Sequence, residues 1–224
     1  APWKTIEKNA FASCYNLSQV TLGGNEESIH PEAFYGTPWW DTYCENLSDG
    51  PIYLGKSLIG YKGEMPENTT LVVKEGTTAI ADDVFNYENR PENLVAITFP
   101  ESLKEIGNSS FRDCVNLKEV TIPKAVTKVG ENAFNADYLE KVTWNAINCE
   151  STYKEIIYGD LVSIESRFIF YADSKSGGGS STIKTFILGN EVESIPNALC
   201  FGMSEITEIT IPNSVKSIGK SAFK

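Results

Sequence analysis

The sequence has few of the residues that most enzymes and nucleic-acid-binding proteins require. Its 224 residues include one histidine, His30, which excludes a multi-histidine metal site and leaves a catalytic triad one candidate base. Because His30 precedes Pro31, the sequence predicts that it is an exposed turn residue without the oriented partner that a catalytic base needs. The net charge of −11 excludes the basic face that phosphate binding needs. No apolar run approaches the ~20 residues that span a bilayer. We therefore expect no catalysis, no cofactor or metal, no nucleic-acid binding and no membrane insertion by this segment.

The chain instead contains a repeat with a period of about 23 residues. Residues 117–134 and 206–223 match column for column, from the motif L/I-x-E-V/I-T-I-P to a closing Ala-Phe. Residues 17–34 and 94–111 follow the same pattern. The phenylalanine column is occupied, in chain order, by Phe11, Phe34, Phe85, Phe111, Phe134, Cys200 and Phe223. This regularity predicts a stack of similar coils.

Each coil contains one short strand. In the triplet V-T-I the first and third side chains share a face, so they point inward and the threonine points to solvent. The following proline lacks an N–H and ends the strand. A single coil has no core, so coils must stack on their neighbours. The predicted strands are residues 20–22, 71–73, 97–99, 120–122, 142–144, 186–188 and 209–211.

The pattern L-x-x-V-T-I-P-x-x-V-x-x-I-G-x-x-A-F-x-x-C resembles the BspA-like class of bacterial leucine-rich repeats over nearly the whole chain. The resemblance implies one right-handed, β-rich leucine-rich-repeat solenoid over residues 1–224, with little helix. It also implies export by a gut or oral bacterium and display at the cell surface, with the signal segment absent from this sequence. The implied role is adhesion-like binding of a host or bacterial surface protein or glycan. The departures are Cys200 in the phenylalanine column and insertions at about 35–68 and 145–182.

The first insertion carries the first candidate ligand surface, formed by Trp39, Trp40 and Tyr43. Such rings stack on the apolar faces of sugars or act as anchors in protein interfaces; alternatively, they pack the insertion onto the solenoid. Residues 52–54 and 58–61 flank a two-residue turn and predict a β-hairpin. The second insertion ends in a Gly/Ser-rich run, residues 174–181, which predicts a flexible loop.

The exposed strand face is the second candidate surface. A column of threonines runs along it, interrupted by Val72 and Ile187, with charges that differ from strand to strand. The alternative is a solvated ladder that stabilises the sheet without binding anything. The candidate residues on this face are Thr98, Glu119, Thr121, Lys141, Thr143, Glu208 and Thr210.

The five cysteines fit neither a zinc site nor a fully paired disulfide framework, because no two have CxxC spacing and their number is odd. Cys14 and Cys114 follow a phenylalanine anchor by three residues, so we expect both to be small buried apolar side chains. A bridge between Cys149 and Cys200, or between Cys44 and a partner, remains open.

Three functions from different classes fit the sequence: a binding scaffold, a spacer with no ligand of its own, and a hydrolase built on Asp and Glu. The scarcity of catalytic groups makes the hydrolase the least favoured of the three functions.

Neither end of the chain shows the polar cap that solenoids need. We therefore expect additional repeats or domains in the full-length chain, or a partner that covers the ends.

Overall fold

The stacked repeats form a β-solenoid in the computed structural model of the protein, which confirms the predicted fold class. The structure describes residues 5–23, 28–85, 91–135, 138–150, 154–158, 161–165, 168–171 and 181–224. Its strands are β1 (Thr5–Ile6), β2 (Ser28–Ile29), β3 (Gly50–Leu54), β4 (Ser57–Lys62), β5 (Thr69–Val72), β6 (Ala79–Ile80), β7 (Leu94–Thr98), β8 (Glu105–Ile106), β9 (Glu119–Ile122), β10 (Lys128–Val129), β11 (Phe134–Asn135), β12 (Lys141–Trp144), β13 (Lys154–Tyr158), β14 (Leu161–Glu165), β15 (Phe170–Tyr171), β16 (Thr185–Leu188), β17 (Ser194–Ile195) and β18 (Ser217–Ile218). The helices within these ranges are α1 (Pro38–Glu45) and two 3-10 helices, Pro31–Phe34 and Pro91–Asn93.

The V-T-I triplets form the strand face of the solenoid. Strand β5 pairs with β7, and β12 pairs with β9 on one side and β16 on the other, all in parallel. Val120, Val142 and Phe186 are aligned across three strands and buried. The middle residues point outward as predicted, and Val72 and Ile187 are therefore exposed. Within the described residues, five turns thus carry a strand on this face.

The first and last of the seven predicted triplets were wrong as strands. Residues 20–22 and 209–211 are both described, and neither belongs to a strand. Beside the first triplet, the backbone N–H of Trp39 in α1 donates to the carbonyl of Leu17, so the first insertion occupies this side of the coil. At the last triplet, Ile211 is 38% exposed, so this segment is only loosely packed against the core.

A second ladder of very short strands runs along another edge of the coils. Strands β6, β8 and β10 pair in parallel and align the buried side chains of Ile80, Ile106 and Val129. Strand β4 of the first insertion extends this ladder, because Leu58 pairs with Ile80. An antiparallel pair, β3 with β4, occupies the segment where the sequence predicts a hairpin. The insertion therefore takes the place of a coil in the ladder.

Aromatic rings fill the interior beside this ladder. Phe85, Phe111 and Phe134 lie on successive coils, with centroid distances of 5.6 and 5.1 Å. Each insertion adds a ring to this series. Tyr61 lies 6.3 Å from Phe85, and Phe170 lies 5.6 Å from Phe134. We call these five rings the phenylalanine stack. It continues through positions where the repeat pattern itself is interrupted.

The cysteines divide into buried and accessible thiols, and all five are free. Cys114 is buried as predicted, and Cys149 and Cys200 are buried as well. Burial raises the pKa of the Cys149 thiol to about 12 and that of the other two further. The prediction for Cys14 was wrong: it is exposed, because the outer side of its coil is not covered by another described coil. Cys44 is half-buried.

The second insertion holds an antiparallel hairpin, β13 with β14, followed by β15, which pairs with β11. The predicted flexible run lies outside the described residues except for its last member. That residue, Ser181, is buried, and its hydroxyl accepts from the backbone N–H of Ile183.

Candidate functional site

Helix α1 places the three aromatic residues of the first candidate surface. Thr37 caps its N-terminus, because its hydroxyl accepts from the backbone N–H of Trp40 at 3.1 Å. Pro38 occupies the first helical position, where no N–H is needed. The hydroxyl of Thr37 also donates to the carbonyl of Phe34, which ties the helix to the preceding coil.

All three aromatic side chains are partly buried and pack against one core cluster. Trp39 packs edge-on against Phe34, with ring centroids 4.8 Å apart. Tyr43 stacks on Trp39 at 5.4 Å and on Trp40 at 5.7 Å, and its hydroxyl donates to the carbonyl of Tyr53. Burial raises the pKa of Tyr43, with a smaller contribution from Cys44. These contacts join α1 to a core cluster of its own around the buried Phe34 and Ile29.

Lys62, the last residue of β4, holds the other end of α1. Its ammonium donates to the carbonyls of Cys44 at 2.8 Å, Glu45 at 3.2 Å and Leu47 at 2.6 Å. The last carbonyls of a helix have no partner within the helix, and a cation there also interacts favourably with the helix dipole. One side chain thus attaches the helix to the hairpin.

Replacing Lys62 by Met should lower the free energy of unfolding by about 1–2 kcal/mol, because it removes a charged donor from three carbonyls while keeping most of the apolar stem. Denaturant unfolding followed by tryptophan fluorescence measures the change. The matched control is Lys56→Met at the exposed hairpin turn, for which we expect less than about 0.5 kcal/mol. Equal losses in the two variants would show that the Lys62 contacts do not stabilise α1.

A cleft of about 720 Å³ opens where the first insertion meets the solenoid. Trp40 lines it and, of the predicted site residues, is the one that the cleft includes. Two tyrosine rings also contribute, those of Tyr35, which is 65% exposed, and Tyr61. The remaining lining residues are Glu32, Ile52, Ile59, Gly60, Asp83, Val84, Phe85, Ser109, Arg112 and Asp113.

The cleft is acidic. Three carboxylates, Glu32, Asp83 and Asp113, line it together with one guanidinium, Arg112. Glu32 forms an exposed ion pair of 2.9 Å with Lys8. Partial burial raises the pKa of Asp83, and the adjacent Asp82 raises it further. The site therefore combines aromatic surface with several hydrogen-bond acceptors.

The lining residues that the sequence analysis missed share repeat positions. Glu32, Asp83 and Ser109 each precede the column phenylalanine by two residues, so coil stacking brings them to one edge. Tyr35 and Arg112 each follow a column phenylalanine directly. These two repeat positions, two residues before and one residue after the column phenylalanine, differ from coil to coil. That variation was the signal that could have identified them. Tyr61 and its neighbours come from the hairpin, to which the repeat columns do not extend.

The candidate residues of the strand face lie outside the cleft. Thr121 and Thr143 are adjacent across β9 and β12. Their flanking charges engage each other, because Lys141 donates to Glu119 at 2.9 Å. Such an exposed pair adds little stability. Thr98, at the end of β7, is exposed. Glu208 and Thr210 lie on the C-terminal coil, where Glu208 borders a cavity of about 170 Å³ and Thr210 is exposed.

His30 is not the exposed turn residue that the sequence predicts. Its side chain is 14% exposed, and its Nδ1 accepts from the backbone N–H of Glu32 at 3.1 Å. Nε2 lies 3.8 Å from a carboxylate oxygen of Asp82 on a neighbouring coil. The stacking of that coil accounts for the burial.

The described residues contain no group of three or more His, Cys, Asp or Glu side chains placed to hold a metal ion. Within the same ranges, no helix has the length and apolar character needed to cross a bilayer.

Solved structures of leucine-rich-repeat proteins resemble the chain at low identity. The pneumococcal vaccine antigen PcpA matches at 16% identity with a TM-score of 0.49, over 98% of this chain and 55% of that one. A leucine-rich repeat protein from Bacteroides ovatus matches at 21% identity and a TM-score of 0.33, over 99% and 55%. A leucine-rich cell surface protein from Faecalibacterium prausnitzii matches at 24% identity and a TM-score of 0.35, over 98% and 48%. The chain thus spans about half the length of these proteins.

No protein of curated function matches the chain significantly. The model of the BspA type leucine rich repeat region matches in six copies, over residues 2–46, 65–170 and 178–224. These ranges take in both the coils and most of the second insertion. The chain therefore belongs to the BspA-type leucine-rich-repeat family.

Proposed function

We propose that the protein is a binding scaffold displayed at the cell surface, and that it holds a glycan in the cleft between the first insertion and the solenoid. The observation that carries this proposal is a cleft of about 720 Å³ lined by Trp40, Tyr35 and Tyr61. Ligand sites are concave, of a few hundred to about 1,000 Å³, and combine aromatic surface with a few polar groups. Surface display and an adhesion-like role follow the family to which the repeat belongs.

The mixture of rings and carboxylates favours a sugar over an apolar ligand. A sugar ring presents C–H groups on its faces and hydroxyl groups at its edges. Trp40 and Tyr35 offer ring surface for the faces. Glu32 and Asp83 offer acceptors for the hydroxyls. A purely apolar ligand would desolvate the Asp83 carboxylate without offering it a hydrogen-bond donor, which is unfavourable.

The cleft is a better ligand site than the strand face. The strand face presents similar β-branched side chains in a row, and its Glu119 and Lys141 engage each other. A uniform ladder of this kind is explained by sheet stability. The cleft joins side chains from four segments of different sequence. A spacer without a ligand would have no use for such a site, so a binding measurement separates the two functions.

Binding to an array of oligosaccharides should be lost, by about tenfold or more in affinity, in both Trp40→Ala and Tyr35→Ala. Tyr35→Ala is the cleaner variant, since this side chain is mostly exposed and its removal leaves the core intact. The matched control is Tyr15→Ala, which removes a ring that is 74% exposed and lies outside the cleft. Near-ultraviolet circular dichroism checks the fold of each variant.

Two results would contradict the proposal. If the wild-type protein binds no glycan on the array, the glycan-binding function is wrong. If both cleft variants bind as well as the control, the ligand site lies elsewhere. Mass spectrometry of the oligosaccharide after long incubation with the protein tests whether the protein binds it without cleaving it. Shortened products would show that the protein hydrolyses its ligand.

A further inference from the structure

We infer that the cleft selects uncharged sugars and excludes acidic ones, such as sialylated, uronic or sulfated glycans, through the carboxylates of Asp83 and Asp113. This inference rests on the proposed glycan-binding function. It adds a ligand class and two residues that determine specificity.

The charge balance of the cleft supports this selectivity. Three carboxylates and one guanidinium line it. Arg112, the group that would attract an acidic sugar, is followed directly in the chain by Asp113, which also lines the cleft. Lys8 pairs with Glu32 from outside the lining, so the other charged lining groups are the carboxylates of Asp83 and Asp113 and the guanidinium of Arg112. An anion in the cleft would therefore meet more negative than positive charge at short range.

Two other carboxylates, those of Asp82 and Glu32, act on the charge of Asp83. Asp83 lies next to Asp82, and partial burial together with this like charge raises its pKa. The sources of positive potential that partly offset this are Lys8 and His30, and Glu32 opposes them. A second anion placed beside Asp83 would add to an existing repulsion. A neutral sugar avoids this cost, since its hydroxyls donate hydrogen bonds to the carboxylate.

The charge of the whole chain acts in the same direction. With 30 acidic and 19 basic side chains, the protein repels anionic glycans during approach, over roughly the Debye length of about 8–10 Å. This long-range effect disappears at high salt. Repulsion between charges in contact is screened less than this long-range effect, so the preference for neutral sugars should persist in the cleft.

The test measures the ratio of neutral to acidic binding on an array that carries oligosaccharides beside their sialylated, uronic or sulfated counterparts, at about 0.15 and 1 M salt. We expect the wild-type protein to favour the neutral member of each pair at both salt concentrations. The double variant Asp83→Asn/Asp113→Asn should shift the ratio towards the acidic members by about tenfold, because it removes two like charges at contact distance. Asn also suits the left-handed backbone of residue 83, which has φ of 47°.

The matched control is Glu75→Gln/Glu101→Gln, which changes the net charge equally at two exposed positions outside the cleft. Three outcomes are separable. Preference for acidic glycans that Tyr35→Ala abolishes would overturn this inference and leave the proposed function standing. A shift in the control as large as in the cleft variant would assign the selectivity to net charge and also overturn it. Absence of any glycan binding would overturn the proposed function itself.

Discussion

Replacing Phe134 by Ala should lower the free energy of unfolding by about 3–5 kcal/mol. Its side chain has no exposed surface and lies between Phe111 at 5.1 Å and Phe170 at 5.6 Å. A coil on one side and the second insertion on the other fix these neighbours, so they can fill only part of the cavity that the missing ring leaves. Denaturant unfolding followed by far-ultraviolet circular dichroism measures the loss. We expect the transition midpoint to fall without a change in the folded spectrum.

Phe11→Ala is the control in the same repeat column. Phe11 stacks on Phe34 at 5.1 Å, the same distance as in the Phe134–Phe111 pair, but it is 42% exposed. Since its removal leaves an open notch rather than a cavity, we expect a loss of about 1 kcal/mol. Comparable losses in the two variants would mean that the phenylalanine stack contributes through ring pairs and not through enclosure between coils.

The phenylalanine column could be read from the sequence because identical spacing places residues at identical points of every coil. Tyr61 and Phe170 could not be read in this way. Both lie within insertions, where the spacing that defines the column no longer applies. Their places are set by pairing of β4 with β6 and of β15 with β11. Such pairing depends on which backbone is left without a partner after the coils have stacked.

The candidate site, like the fold, could be predicted from the sequence only in part. The sequence identified the aromatic insertion but treated Trp39 and Trp40 as equivalent. Helix α1 separates neighbouring side chains by about 100° around its axis, so Trp39 faces Phe34 while Trp40 reaches the cleft. An eight-residue helix has too few turns to produce a hydrophobic periodicity in the sequence. Its N-cap, Thr37 followed by Pro38, can be recognised from the sequence. The acidic residues of the cleft were visible only as variable positions beside a constant phenylalanine.

A glycine directly follows three of the short strands, as Gly107, Gly130 and Gly219. From the repeat motif alone, this glycine would be expected to relax a corner with tight backbone dihedrals. In the structure Gly130 is not in the left-handed region, which the neighbouring Asn132 occupies with φ of 53°. The glycine is needed because coils touch there. A Cβ on Gly130 would lie 2.4 Å from the backbone nitrogen of Asn108. Gly107 and Gly219 have equivalent contacts with the preceding coil.

Gly130→Ala should therefore lower the free energy of unfolding by about 3 kcal/mol, although alanine is ordinarily the gentlest replacement for glycine. The two nearest atoms that block the methyl group are backbone atoms of Asn108 and Gly107, and the third is Oδ1 of Asn108. Moving them would strain two hydrogen bonds, from the Asn108 N–H to Asp82 at 2.7 Å and from the Glu131 N–H to the Asn108 side chain at 2.8 Å. Thermal and denaturant unfolding both measure the loss.

Gly60→Ala separates this steric cause from the general effect of replacing a glycine. Gly60 also lies outside the left-handed region, and its added Cβ would meet its nearest neighbour, the Cδ1 of Ile52, at an ordinary 3.6 Å. We expect a change within about 1 kcal/mol, and of stabilising sign, because alanine reduces the entropy of the unfolded chain. If Gly60→Ala were as destabilising as Gly130→Ala, the spacing between coils would not be the reason for the glycine. A large difference would assign the repeated glycine to the distance at which one coil stacks on the next.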